Sequence, residues 1–419
     1  MYPYGMKEIA QEVSECRICE GTELSTLLDF GDMALTGVFL TDGALVPKAP
    51  LDFCRCNNCG LVQLRHSYSL ESLYGDSYGY ESHLNKAMVD HLTRKARLLE
   101  KKYLSPNSNE IVVDIASNDG TLLSGYVGKN FRYVGIDPLI DVVSDHYPDG
   151  AIKIKNFFSS DAYWEKNDSP ASLVTSLSVL YDLDKPISFA KNINSILKDD
   201  GIWHFEQSYL PTMIDTLSYD TICHEHLLYL SLHDIKRILD ESGFKILDAS
   251  LNATNGGSIA ITAVKSKENH PHSPYIDFLL EREIVSGITT GEKLHVFVSR
   301  AIEHKKEFRQ LLGMYISEGY EIVGLGASTK GNVLLQWLDL DTTFISRIGD
   351  VNKRKFGTMT PGTSIPIVSE EEIFNGKGKR IALVLPWHFR EGIIAKSEKI
   401  MSQGVGLIFP LPRIEVVSF

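Results

Sequence analysis

The sequence predicts an α/β protein of three units: a small N-terminal four-cysteine module, a Rossmann-like seven-stranded sheet, and a C-terminal, smaller Rossmann-like α/β domain. Three observations carry this. Two CxxC knuckles, Cys16-Arg-Ile-Cys19 and Cys56-Asn-Asn-Cys59, stand near the start of the chain. From Ile111 onward, short β-branched runs alternate with helix-like stretches, the rhythm of a doubly wound parallel sheet. That rhythm restarts at Glu321 with a strand, a glycine-bearing turn and a helix. The boundaries fall at 1–72, 73–268 and 269–419.

The totals bound the class. A chain of 419 residues holds two or three cores, and 43% hydrophobic with 23% charged residues is a globular composition. No apolar run reaches the roughly 18 residues of a membrane span. A net charge of −12 without a long basic run argues against nucleic acid as a partner. The opening MYPYGMKEIAQEV has no secretory apolar core, so the expected compartment is the cytoplasm.

Taken in order, the knuckles come first. Cys16, Cys19, Cys56 and Cys59 can offer four thiolates to a tetrahedral zinc, a closed site that holds a fold and performs no chemistry. Cys54 competes as a ligand, and disulfides are the alternative that a cytoplasmic setting opposes. Next, Tyr74, Tyr78 and Tyr80 cluster ahead of a helix-like stretch. They either wall a polar pocket or pack one unit against the next.

Ile111–Ile115 then ends a strand through Asp114 and breaks into Ala116-Ser-Asn118-Asp119-Gly120. A second strand, Arg132–Ile136, ends in Asp137, where a carboxylate commonly takes a ribose diol. The dinucleotide glycine fingerprint is absent. A carboxylate-bearing loop that avoids a diphosphate suits a cationic nucleoside, S-adenosylmethionine, against the alternative of a plain βα turn. Further strands are expected at Ala151–Ile154, Ser172–Ser176, Trp203–Glu206, Lys245–Ser250 and Ser258–Val264. Helices are expected at Leu122–Val127, Ile140–His146, Pro186–Leu197 and Leu232–Ser242. The turn after Ser176 would cover the cofactor.

Beyond the fifth strand, Cys223-His224-Glu225-His226 is dense in titratable groups. A metalloprotease HExxH is excluded because Leu228 holds the second histidine position. A metal pair, structural histidines and general acid–base catalysis remain, and imidazole near pH 7 is the natural proton acceptor. After a polar linker from Ser266, Tyr275–Ser317 reads as helix. Glu321–Gly326 then leads into Ser328-Thr-Lys330-Gly-Asn332, either an anion site at a helix N-terminus or a packing turn. Ile345–Gly349, Arg380–Leu385 and Val405–Phe409 read as later strands.

Together CRIC, CNNCGLVQL, SNDGTLL, DTICHEHLLYLS, GASTKGNVLLQ, PGTSIPI and LPWHFRE span nearly the whole chain. In that order they resemble the sugar C-methyltransferases that act on nucleotide-linked keto-deoxysugars. The resemblance implies a class I methyltransferase domain, zinc on Cys16, Cys19, Cys56 and Cys59, and S-adenosylmethionine near Asp114, Ala116, Asn118, Asp119, Asp137 and Ser176. For the proton abstraction that such a reaction needs, His226 is assigned as base, Glu225 as the group orienting an imidazole or contacting the sugar, and Tyr78 or His224 as donors to the enolate oxygen. Tyr80, Cys223, Asn255, Ser328, Lys330 and Asn332 would meet a nucleotide-linked keto sugar. Cys223 stands where the family usually has Tyr, and Asn255 where His commonly precedes Gly-Gly. A sugar O-methyltransferase and a non-catalytic sugar-nucleotide binder are the rival expectations.

Overall fold

The computed structural model describes residues 9–41, 46–73, 80–105, 108–128, 130–143, 146–267, 273–374, 378–402 and 404–418. Its largest sheet has seven strands. Their spatial order is Phe244–Asn252, Ser258–Lys265, Leu197–Ser208, Ala171–Leu177, Ile111–Ile115, Arg132–Ile136 and Ile152–Ile154. The last five are parallel, and the first two close one edge antiparallel. Every residue of Ile111–Ile115 is buried, as a central parallel strand covered on both faces requires. Helix Lys86–Tyr103, capped by the Asn85 side chain, lays Leu92, Ala96 and Leu99 over Val112, Leu173, Ile202 and Val264.

One expected helix is absent. The described residues of Ile140–His146 form turns. Asp137 Oδ1 accepts the Leu139 amide, bending the chain immediately after the strand. The segment instead delivers Tyr147, whose hydroxyl bonds Ser117 and the Asn118 carbonyl beneath the cofactor loop.

The N-terminal module is a four-stranded sheet in which the hairpin Leu24–Ala34 and Lys48–Cys56 continues to Val62–Leu64. Its fourth strand is Leu228–Tyr229, which in sequence lies within the seven-stranded unit, between Leu197–Ser208 and Phe244–Asn252. The Leu64 amide also donates to the Leu227 carbonyl. The four Sγ atoms of Cys16, Cys19, Cys56 and Cys59 lie within 4.8 Å of one another. Cys16–Cys59 and Cys19–Cys56 are each 3.6 Å apart. Tetrahedral zinc with bonds near 2.3 Å spaces its sulfurs by about 3.8 Å, so the four thiols fit the metal. Cys54 is fully buried, its thiol pushed up to about 12 by burial, and stands outside the set.

The expected helix 275–317 is two helices, Pro274–Val285 and Glu292–Ser317. They break at Gly291, whose φ of 90° and approach to Arg55 (3.1 Å from a would-be Cβ) leave room for glycine only. Arg55 donates to the Thr289 carbonyl in the same break, tying the module to the C-terminal unit. That unit's sheet runs Ile367–Ser369, Ile348–Asp350, Glu321–Leu325, Arg380–Val384, Val405–Phe409 and Glu415–Val417. Only the last is antiparallel. Among the described residues, no helix is long and apolar enough to cross a membrane.

This topology predicts a specific consequence of zinc removal. Chelation should release the Leu64 amide to hydrogen exchange while the Ile111–Ile115 amides stay protected, because the first bond depends on the metal-held module. Equal protection at Leu64 with and without metal would show that the sheet holds itself.

Candidate active site

The expected cofactor residues lie at the carboxyl ends of the strands Ile111–Ile115 and Arg132–Ile136. Ala116 (φ 54°), Asn118 (φ 47°) and Gly120 (φ 85°) all take left-handed backbone within five residues, strain of the kind that concentrates at functional loops. Asp114 is 4% exposed, receives a hydrogen bond from Thr175 (2.7 Å) and is pushed up to about 7, chiefly by burial and then by Asp137 and Asp119. Burial also raises Asp137, whose oxygens accept the Asn118 and Leu139 amides. Among the described residues no Lys or Arg forms an ion pair with any of the three carboxylates. A cationic ligand relieves such a site, and the sulfonium and amine of S-adenosylmethionine fit it.

Not every expected cofactor residue faces that ligand. Asn118 spends its amide group on the Ser82 backbone and Tyr80 carbonyl. Asp119 accepts from His83 and Thr121. Both therefore clamp residues 80–83 onto the loop, and the exposed Tyr80 is positioned through its backbone. Ser176 accepts the Trp203 indole N–H in the core. Ala116 donates its amide to Ile136. Tyr78 lies outside the described residues.

The histidine segment separates into different environments. His224 is fully buried, donates Nε2–H to the Ala49 carbonyl inside the module, and is held near 4 by burial. Its position removes it from the base role considered for it. Glu225 accepts from Thr36 of the module and lies beside the Cys223 thiol; burial raises both groups. His226 alone lines a cavity, with Tyr181, Ser208, Leu210, Met213, Thr221, Leu228 and Tyr229. Its Nδ1–H donates to the Thr221 carbonyl (2.8 Å), which leaves Nε2 as the basic nitrogen. Tyr181 packs on the ring at 4.3 Å. Burial, then the Lys330 ammonium, holds His226 down to about 3, so the ring is neutral at every working pH.

The C-terminal unit closes this region. Ser328 caps helix Thr329–Trp337 by accepting the Gly331 amide, a structural task. Lys330 donates to the Asn255 carbonyl (2.8 Å), and Asn255 itself is left-handed at φ 54°. Asn332 donates to the Thr36 carbonyl. Trp387 donates its indole N–H to Asp220 (2.8 Å) and covers Gly256.

Two groups escaped the sequence reading. Asp220, Trp387 and His388 were visible only as parts of motifs. The other is a buried network at the end of strand Leu197–Ser208, in which His91 and Lys95 both reach Glu206 at 2.7 Å. Asn252 also donates to Glu206 (2.9 Å). Burial opposes ionisation of Glu206, yet the His91 bond and Lys95 charge hold it near 2. The alternation His204-Phe-Glu206 in a buried strand was the available signal.

Comparison with known proteins gives the following similarities. Three family profiles match: a zinc binding domain over residues 16–74, a methyltransferase domain over 80–249, and a C-methyltransferase C-terminal domain over 253–412. The C-methyltransferase NovU of Streptomyces niveus is 26% identical over 418 residues, covering 99% of each chain. Among solved structures, similarity extends to the magnesium protoporphyrin IX methyltransferase of Synechocystis PCC 6803 with bound SAM. That match has 14% identity, covers 43% of this chain and 79% of the other, and has a TM-score of 0.29. The glycopeptide N-methyltransferase MtfA with SAM gives 13% identity, 41% and 93% coverage, and a TM-score of 0.31.

The buried histidines make a pH prediction. His224 takes its proton near 6.5 when unfolded but only near 4 when folded, so its contribution falls as pH drops from 6.5 toward 4. Asp114 works oppositely, since its folded pKa is raised and acidification favours the folded form. Comparing variants isolates the histidine. In urea titrations, His224→Gln should flatten the decline between pH 6 and 4.5 by up to about 1.4 kcal/mol per pH unit. Parallel curves would show that His224 is not held neutral.

Proposed function

Since the chain is an S-adenosylmethionine-dependent methyltransferase carrying the zinc, methyltransferase and C-terminal units of the C-methyltransferase family, we propose that it methylates a nucleotide-linked 4-keto sugar at the carbon beside the ketone. The observation that carries the reading is His226: a neutral imidazole with Nδ1 fixed on a backbone carbonyl and Nε2 left to accept a proton. The name of NovU, a C-methyltransferase, supports carbon as the acceptor.

The residues divide the work. His226 Nε2 takes the α-proton, and the C–H electron pair moves into an enolate. The bound cofactor supplies an electrophilic methyl group for that carbon. An imidazole held near 3 is a weak base, and protonating it beside Lys330 places two cations together. The enolate formed in the same step is their counter-charge, so proton transfer and enolate stabilisation are coupled. Lys330 has two further N–H donors for the enolate oxygen, worth about 3 kcal/mol per well-placed donor. Asp137 is assigned to the ribose, and Asn255 and Cys223 to the sugar's surroundings. We assign the sugar nucleotide to the face between units 73–268 and 269–419, with 1–72 contributing Thr36.

The cavity at His226, about 10 Å³, has room for about one water. Substrate therefore reaches Nε2 only as neighbouring side chains move, and Met213, with three rotatable bonds, is the adaptable wall.

The test uses D₂O. With adenosylhomocysteine and a keto-sugar nucleotide, the wild type should exchange the α-proton and His226→Asn should not. The variant should keep its cofactor affinity while turnover falls by about 10²–10⁴-fold. Undiminished exchange in the variant would remove His226 from the reaction.

A further inference from the structure

The sequence leaves Lys330 as either an anion ligand or part of a packing turn, and its surroundings in the structure do not suit a phosphate. Its ammonium is half-buried; among the described residues it hydrogen-bonds the Asn255 carbonyl, and Asp220, His226 and His388 feel its charge. Asp220 is fully buried; Oδ2 accepts the Trp387 indole, and Oδ1 has no hydrogen-bond partner among the described residues. His388 is the next residue after Trp387, packed on Phe389 at 4.3 Å, and its buried Nδ1 likewise has no partner. Burial and then Lys330 lower its pKa, so it is a neutral imidazole. These two unpaired atoms stand out because both groups feel the charge of one half-buried ammonium, which gives a polar ligand donors and acceptors at a single place.

The donor and acceptor inventory selects the ligand class. A diphosphate offers only acceptors and negative charge, and would confront the Asp220 carboxyl in a low-dielectric seam. A sugar ring oxygen substituent is different. A hydroxyl donates to Asp220 Oδ1 or His388 Nδ1 and accepts from Lys330; a ketone accepts from Lys330 alone. The seam is also adaptable at this point, because loop Thr254–Gly256 is held by Lys330 on one side and covered by Trp387 on the other.

We propose that Lys330, Asp220 and His388 form the subsite for the neutral, oxygen-bearing sugar ring, with His388 as the residue that discriminates among sugars, and that the diphosphate binds elsewhere. This rests on the sugar-nucleotide reading above. His388 reads a ring substituent through Nδ1, so a sugar lacking that substituent leaves the nitrogen unpaired and is rejected. The recognition is reached through the LPWHFRE segment, which the catalytic steps do not otherwise use.

Calorimetry on the full-length, zinc-loaded protein tests this with adenosylhomocysteine bound. The probes are thymidine and guanosine diphosphates and their 4-keto-6-deoxyhexose conjugates. His388→Phe keeps the ring stacking and loses the nitrogen; His388→Asn keeps a polar atom in a similar place. His388→Phe should weaken the preferred conjugate by ten-fold or more and leave the free nucleoside diphosphate unchanged, and His388→Asn should recover part of the loss. Adenosylhomocysteine affinity, unchanged in both variants, reports that they are folded. Equal weakening of conjugate and free diphosphate would place the phosphates at His388 and overturn the proposal. No change in either would make His388 structural and overturn it too. A wild type that binds adenosylhomocysteine but none of the conjugates refutes the sugar-nucleotide reading itself, a different result from either.

Discussion

The histidine segment Cys223–His226 is held by a sheet that belongs to another unit. Leu228–Tyr229 completes the zinc module's sheet against Val62–Leu64, and the residues just before it are fixed to the same module. His224 bonds Ala49 and Glu225 bonds Thr36. His226, between those anchors and the strand, has little freedom except to line its cavity. The four-thiol cluster thus has a mechanical role beyond its own module, because whatever loosens that sheet also loosens His226. A closed site with no open coordination position can affect the reaction only in this way.

A second consequence concerns electrostatics. The strand-end side collects carboxylates, with Asp114 raised to about 7 chiefly by burial, whereas the seam with the C-terminal unit holds a half-buried ammonium beside neutral imidazoles. Each half is unfavourable alone. In the proposed reaction a sulfonium ligand would relieve the first and a developing enolate the second. Neutral His226 beside Lys330 is consistent with this: it is poor at holding a proton until the enolate exists.

The sequence made some of this legible and hid the rest for physical reasons. Cysteine spacing identified the thiol cluster, and unbroken β-branched runs identified the buried strands, because both are local patterns. The density of titratable groups pointed to residues 223–226 but could not tell His224 from His226. Their difference lies in what each meets: a carbonyl of the zinc module for one, a cavity for the other. Lys330 looked like an anion ligand from its place at a helix start, yet its partner is a carbonyl 75 residues away in sequence. The Trp387–Asp220 bond joins residues 167 apart, and no periodicity reports such a pairing. Asn118 and Asp119 stand in the loop after Ile111–Ile115, but their side chains are occupied by residues 80–83 and Thr121, a use that only tertiary structure reveals. The expected helix at Ile140 failed because Asp137 bends the chain and Tyr147 is needed beneath the loop.

Carbon methylation of a keto sugar is the claim on which the account turns, and the bond itself can be observed. Transfer from ¹³C-methyl adenosylmethionine to a uniformly ¹³C-labelled nucleotide-linked 4-keto-6-deoxyhexose should give a product whose new methyl carbon shows one-bond carbon–carbon coupling to a ring carbon. A transferred methyl with only long-range coupling through oxygen would contradict the account, since the acceptor would then be a hydroxyl and no enolate would have formed.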